Sequence, residues 1–223
     1  MKIIDPSHVF ETPIDGEYGR ALLKLCERAA RTCYKSEGAC TADSAGPFVR
    51  KIAQVKKHAS VIEHANVTVR FICDRGVTHE LVRHRIAAYS QESTRYCNYS
   101  GDKFGGEITV IRPPFWETHD PCYALWYKAC KDAEEAYLGL LAKGASPQEA
   151  RSVLPNSLKT EIVTTFNLRQ WRHVFTLRAA KEAHPQMQQL MRPLLAEFKR
   201  WMPELFDDIH PEIPPAETTQ PCK

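Results

Sequence analysis

Between Asn66 and Cys73 the hydrophobic period of the chain changes. Upstream, Leu22, Leu25, Cys26 and Ala29 recur at three- and four-residue steps, the repeat of a helix. Here Val67, Val69 and Phe71 alternate with Thr68, Arg70 and Ile72, the repeat of a strand with at least one buried face. A second strand is expected from Lys159 to Phe166, a Thr- and Val-rich run. A helix is expected beyond each strand: Val77 to Arg85 after the first, and one capped by Asn167 and running to about Ala180 after the second.

The remaining elements follow from local signals. Glu17 to Ala30 reads as a helix and Ser36 to Pro47 as a loop. Phe48 to His58 reads as a helix with Phe48, Ile52 and Val55 on one face. Ile108 to Ile111 is a short strand stopped by Pro113-Pro114. Asp120-Pro121 opens a long helix through Leu141, ended by Gly144. Ser146-Pro147-Gln148-Glu149 is a capping-box pattern. Pro185 begins a last helix whose apolar stripe is Met187, Leu190, Met191, Leu194, Leu195, Phe198 and Trp201. The expected fold class is α+β, helices packed around a central, mainly antiparallel sheet in a single domain. Residues 1–202 are assigned to that domain and residues 203–223 to a Pro- and acid-rich, poorly packed tail.

Composition narrows the class. Apolar residues at 43% and charged residues at 26% are ordinary for a globular chain and exclude disorder. A net charge of +3 suits phosphorylated small molecules and is too small to argue for nucleic acid. No stretch approaches the roughly 18 consecutive apolar residues of a membrane span, and the N-terminal residues do not form a secretory signal. Eight cysteines without a C-x-x-C pair or zinc-finger spacing read as reduced thiols, consistent with the cytoplasm.

Three clusters carry candidate chemistry. In Leu81 to Tyr96, two arginines flank His84 and lead into a run of hydroxyl and amide side chains. Arginine is a permanent cation whose planar donor fork suits phosphate and carbonyl oxygens. On one helix Arg83 and Arg85 would stand about 200° apart and address two ligands; a solvated, charged helix end is the plain alternative. Before the first strand, His58, Ser60, Glu63 and His64 offer hydrogen bonds at the mouth of the sheet, with spacing that does not suit a metal. Arg151, Asn167, Arg169, Arg172, His173 and Arg178 form the third cluster, with Arg172 also readable as a surface charge.

These residues resemble a known family. Arg83-His84-Arg85, seven residues and then Ser93 is similar to the signature of flavin-dependent thymidylate synthases. His58-x-Ser60-x-x-Glu63-His64, Thr78 to Val82, Arg151 to Pro155, Asn167-x-Arg169 and Leu177-Arg178 resemble family segments in the same order. The resemblance covers roughly residues 50 to 200. It implies an FAD-bound homotetramer, with sites between subunits, that makes dTMP from dUMP. Methylenetetrahydrofolate would supply the carbon and NADPH the reducing equivalents.

By position, the resemblance assigns FAD to His58, Ser60, Arg83, His84, Arg85, Gln91, Asn167, Leu168, Arg169 and His173. It assigns dUMP to Glu80, Leu81, Val82, Arg83, Gln91, Glu92, Ser93, Thr94, Arg95, Arg151 and Arg178. Arg178 is the expected catalytic residue, stabilising the pyrimidine as its N3 anion. Arg95 and the backbone around Ser93 would hold the phosphate, and no protein nucleophile is expected. The chain departs from the familiar pattern at His173, often Asn, and at Glu80 and Gln91, where Gln and Glu are familiar. The rival readings are a relative that hydroxymethylates or modifies another pyrimidine nucleotide, and a nucleotide- or RNA-binding module using Tyr89, Tyr96, Tyr99 and Trp171.

Overall fold

In the computed structural model, which describes residues 1–13 and 15–211, the chain runs β1 (Lys2–Ile4), β2 (Ser7–Phe10), α1 (Gly16–Thr32), α2 (Ala45–Arg50), β3 (Asn66–Asp74), α3 (Arg75–Leu81), β4 (Ala88–Gln91), β5 (Thr109–Ile111), α4 (Pro121–Ala142), α5 (Pro147–Ala150), β6 (Lys159–Asn167), α6 (Leu168–Arg178), α7 (Pro185–Trp201) and α8 (Pro203–Phe206). The four-stranded sheet has the order β2-β3-β6-β4, and β1 pairs with β5 in a separate two-stranded sheet. That small sheet is parallel, with Ile3 opposite Val110.

The expected single domain is built from two compact units. One comprises Met1–Val9 and Arg70–Thr164, the other Phe10–Val69 and Thr165–Lys223. Strands β3 and β6 carry the chain from one unit into the other. Both are nine residues long with strict alternation: Val67, Val69, Phe71 and Cys73 are buried on β3, and Thr160, Ile162, Thr164 and Phe166 on β6. A one-residue slip would turn each set out of the core.

The unit containing α4 closes around Tyr99, Ile108, Val110, Cys130, Tyr137, Ala150 and Leu158. The α4 helix starts where expected, Asp120 accepting from the Cys122 amide at 2.7 Å, and is followed by Gly144 at φ 92°. In the other unit, α6 and α7 bury an aromatic cluster. Trp171 stacks on Phe175 at 5.4 Å and meets Phe166 edge-on at 4.8 Å, while Phe198 and Phe206 lie 4.9 Å apart. Complete burial of such rings contributes about 1.5–3 kcal/mol each. Gly19 on α1 is required here, since a Cβ would stand 2.8 Å from the Trp201 carbonyl oxygen.

Three expectations change. The α2 helix begins at Ala45, inside the expected loop, and gives way at Lys51 to a wider π turn that leaves Val55 exposed. Residues 203–211 are not a loose tail: α8 follows α7 directly, and Leu205, Phe206 and Ile209 are buried. Pro203 stops α7 and starts α8, which is why the sequence looked like an ending. The rest of the expected tail, 212–223, lies outside the described residues. No described helix is long and apolar enough to cross a membrane. The seven described cysteines are free, and burial pushes the Cys26 thiol up to about 12.

Candidate functional site

Within the first unit, α3 ends at Leu81 and the motif beyond it folds as a tight turn. The amides of Val82, Arg83 and His84 donate to the carbonyls of Thr78, Glu80 and Leu81 at 3.0, 3.3 and 3.1 Å. Ile86 then takes the left-handed conformation, φ 63°, at a cost of about 1–3 kcal/mol for a β-branched residue. Arg83 and Arg85 therefore do not share a helix, and the 200° argument fails. They are nevertheless both exposed, with His84 buried between them. The Leu81 side chain lies wholly in the core, so it offers a ligand no side-chain surface; Val82 is exposed.

Strand β4, absent from the expected elements, carries the chain to the second half of the motif. The Glu92 amide donates to the Glu161 carbonyl at 2.9 Å. The Ser93 carbonyl accepts from Tyr96 and Cys97, turning the backbone, and the Arg95 amide donates to Ser93 Oγ at 3.3 Å. Two exposed arginines meet this turn. Arg151 Nη1 donates to Thr94 Oγ1 at 3.4 Å, and Arg95 Nη2 to Gln148 Oε1 at 3.5 Å. The carboxylate nearest in sequence, Glu149, is committed to the capping box, accepting from Ser146 N at 2.8 Å and Ser146 Oγ at 2.6 Å. Both guanidinium groups thus rest on neutral partners at long range. Such a pair can still form charge-assisted hydrogen bonds to an anion.

Glu92 and Glu161 are engaged within the unit. Lys159 Nζ lies 2.8 Å from both Glu92 and Glu161, Arg70 lies 2.9 Å from Glu161, and Tyr99 O–H donates to Glu92 at 2.8 Å. Arg70, Glu92, Lys159 and Glu161 border a cavity of about 450 Å³ that Ser90, Cys97, Lys103 and Phe104 also line. The hydrogen bond from Lys159 holds the Glu161 carboxyl below its ordinary range against the effect of burial, with Arg70 assisting. Burial would lower Lys159, but its bonds to Glu161 and Glu92 prevail and raise it. Glu92, expected at the nucleotide, is part of this network. Gln91 Nε2 donates to Thr78 Oγ1 at 3.0 Å and Thr160 Oγ1 at 3.3 Å. Since Thr78 gives its own proton to the Arg75 carbonyl, it can only accept from Gln91, which fixes the amide orientation.

In the second unit, a 3-10 turn over Ala59–His64 exposes Ser60, with His58 exposed just before it. The start of α6 is tied to the end of that turn: Leu168 N donates to Ala65 O at 2.9 Å, and Arg169 pairs with Glu63 at 2.5 Å. Asn167 caps α6, accepting from Gln170 N at 2.8 Å. Leu168 is a buried residue whose amide is engaged, so its part is packing. His173 is exposed and Arg178, the last residue of α6, is half-buried. Arg172, considered as a surface charge, is structural: it forms two 2.7 Å bonds to Asp208 and a third to the Leu205 carbonyl.

The expected dUMP residues Ser93, Thr94, Arg95 and Arg151 are thus gathered in one unit. His58, Ser60, Asn167, Arg169, His173 and Arg178 belong to the other. Glu80 is half-buried on the last turn of α3. The sequence did not single out Gln148, which meets Arg95, or Lys159, which neutralises Glu92. Neither has a local signature, because each partner is more than 50 residues away.

A family model described as thymidylate synthase complementing protein matches residues 18–204. The flavin-dependent thymidylate synthase of Geobacter sulfurreducens is 35% identical over 205 residues, covering 87% of this chain and 83% of the relative. That of Mycobacterium sp. (strain JLS) is 34% identical over 225 residues, covering 92% and 85%. Among solved structures, Thymidylate Synthase X from Helicobacter pylori, with FAD and dUMP, aligns with a TM-score of 0.69 at 22% identity over 90% of this chain and 99% of that one. The UMP/dUMP methylase PolB from Streptomyces cacaoi, bound with 5-Br dUMP, aligns with a TM-score of 0.71 at 21% identity over 93% and 96%. At those identities the structural likeness establishes a shared fold.

Proposed function

Because the chain belongs to the thymidylate synthase complementing protein family, whose curated relatives are flavin-dependent thymidylate synthases, we propose that it methylates dUMP to dTMP as an FAD enzyme, with methylenetetrahydrofolate as carbon donor and NADPH as reductant. The observation that carries this reading is the pair of exposed arginines, Arg95 and Arg151, resting on neutral partners at the Ser93–Thr94 turn. That arrangement suits the 5′-phosphate of a nucleotide, which would replace two weak neutral contacts with charge-assisted ones.

The second unit's donors fit a flavin dinucleotide. His58, Ser60, Arg169 and His173 are exposed, and the tie between α6 and the 3-10 turn fixes the backbone that carries Ser60 and Arg169. With Arg83, His84 and Arg85 they would hold FAD, whose diphosphate needs cations and whose ring carbonyls need donors. Bound FAD supplies the hydride that completes the methyl group. The protein's own work is binding and field. Arg178 stabilises the uracil ring as its N3 anion, raising electron density at C5 so that this carbon can take up the one-carbon unit. Gln91 presents its amide oxygen, since both N–H donors point to threonines. Ser93 Oγ accepts the Arg95 amide and has no imidazole or carboxylate partner among the described residues, consistent with phosphate binding rather than nucleophilic attack.

The full site is proposed to be completed between subunits of a homotetramer. The test is to purify the protein, record its flavin spectrum, and measure NADPH oxidation and dTMP formation with and without dUMP and methylenetetrahydrofolate. Methylated product that requires all components is expected. A colourless protein that takes up no FAD would reject the reading, and a product heavier by one oxygen would assign hydroxymethylation instead.

A further inference from the structure

The Arg83–His84–Arg85 turn is closed by a side chain outside the ligand set considered above. Tyr89 O–H lies 2.7 Å from the His84 carbonyl and 2.9 Å from the Leu81 carbonyl, so one donor serves two acceptors five and eight residues upstream. The end of a short helix leaves carbonyls without helical partners. Here the Tyr89 hydroxyl reaches back across the whole motif to the Leu81 carbonyl, which also accepts from the His84 amide. The ring is half-buried on β4, and burial pushes the hydroxyl up to about 12, which keeps it a donor at every physiological pH.

Between the two ends of this closure sits Ile86, held at φ 63°. A β-branched residue stays in that region only where its surroundings fix it. Leu81, fully buried, anchors one end, and Tyr89, on a paired strand, anchors the other. The part of the chain between them presents Arg83 and Arg85 outward with His84 inward. We infer that Tyr89 is a positioning residue of the flavin site, its hydroxyl holding the arginine turn in the conformation that receives the cofactor. This inference rests on the reading that Arg83 and Arg85 face the flavin. It assigns Tyr89 no contact with substrate or cofactor.

Tyr89→Phe keeps the ring and removes the donor. Flavin release on dilution of the yellow holoenzyme, followed by free-flavin fluorescence, is expected to quicken about tenfold in this variant. The thermal midpoint of the flavin-free protein should stay at the wild-type value. A merely structural role would lower that midpoint and leave release from folded protein unchanged; that outcome, or wild-type release with a wild-type midpoint, overturns the inference. Hydrogen exchange gives an independent measure on the wild-type protein alone. The peptide spanning residues 82–88 should be protected as strongly as β4, whereas exchange at the rate of an open loop would overturn the inference even if the variant failed to fold. Wild-type protein that takes up no flavin would defeat the functional reading instead, and the exchange result would still judge whether Tyr89 closes the turn.

Discussion

Two groups of arginines differ in what they hold. At the Ser93–Thr94 turn, Arg95 and Arg151 have neutral partners 3.4–3.5 Å away. On α6, Arg172 makes two 2.7 Å bonds to a carboxylate and a third to a carbonyl, and Arg169 takes Glu63. The sequence presents all four as similar cations. Their partners separate them: Arg172, held by an acid and a carbonyl, is tied to the fold; the exposed Arg169–Glu63 pair leaves its guanidinium able to meet a flavin; an arginine left on hydroxyl and amide oxygens keeps most of its capacity for an anion.

The largest effect is expected at Arg178. Replacement by alanine should lower dTMP formation by about a hundred- to a thousandfold or more, as loss of a transition-state charge partner does, while leaving flavin content nearly intact. Wild-type turnover in Arg178→Ala would remove it from the mechanism. Next, Arg95→Ala and Arg151→Ala should each raise the KM for dUMP by about ten- to a hundredfold through loss of a charge-assisted bond, with thermal stability unchanged.

Arg172→Ala should show the reverse pattern: unchanged KM, and a loss of roughly 1 kcal/mol of stability after allowing for solvent screening of an exposed carboxylate. The pH dependence follows. Burial would raise the Asp208 carboxyl, but Arg172 prevails and holds it below its ordinary range. The pair's contribution is therefore present above the unfolded carboxylate pKa and lost as pH falls through the lower folded value. Unfolding curves of wild type and Arg172→Ala should converge in acid, and a constant gap would assign the effect to the Leu205 carbonyl instead. The smallest effect is at Ser93, where alanine should leave measurable activity; complete loss with dUMP still bound would reopen the nucleophile question.

Much of this architecture was legible in the sequence where an element is long. The alternation over β3 and β6 and the stripes of α1 and α7 persist across two or more turns or pleats, enough for periodicity to register. Strands β1, β2 and β4 are three or four residues each, too short to show a repeat, and β4 lies inside a polar motif that masks it. The end of α3 was misjudged because Val82 to Arg85 continues a helix-compatible composition, while the backbone is decided by Ile86 and the Tyr89 closure. At the site, residue identity was readable but commitment was not. Whether Glu92 serves a ligand or a lysine depends on Lys159, 67 residues away, and no local pattern carries that.

The bond between Arg172 and Asp208 also marks how short a working version of this protein can be made. Phe206 packs its ring against Phe175 and Phe198, and Arg172 grips the chain two residues further on. A shortened form ending after Pro211 retains this clasp together with the bond from the Lys181 amide to the Pro211 carbonyl. One ending at Met202 strips the cover from the aromatic cluster and leaves the half-buried Arg172 guanidinium without its acid. The boundary for trimming is therefore set by a side chain on α6, more than 30 residues before the cut.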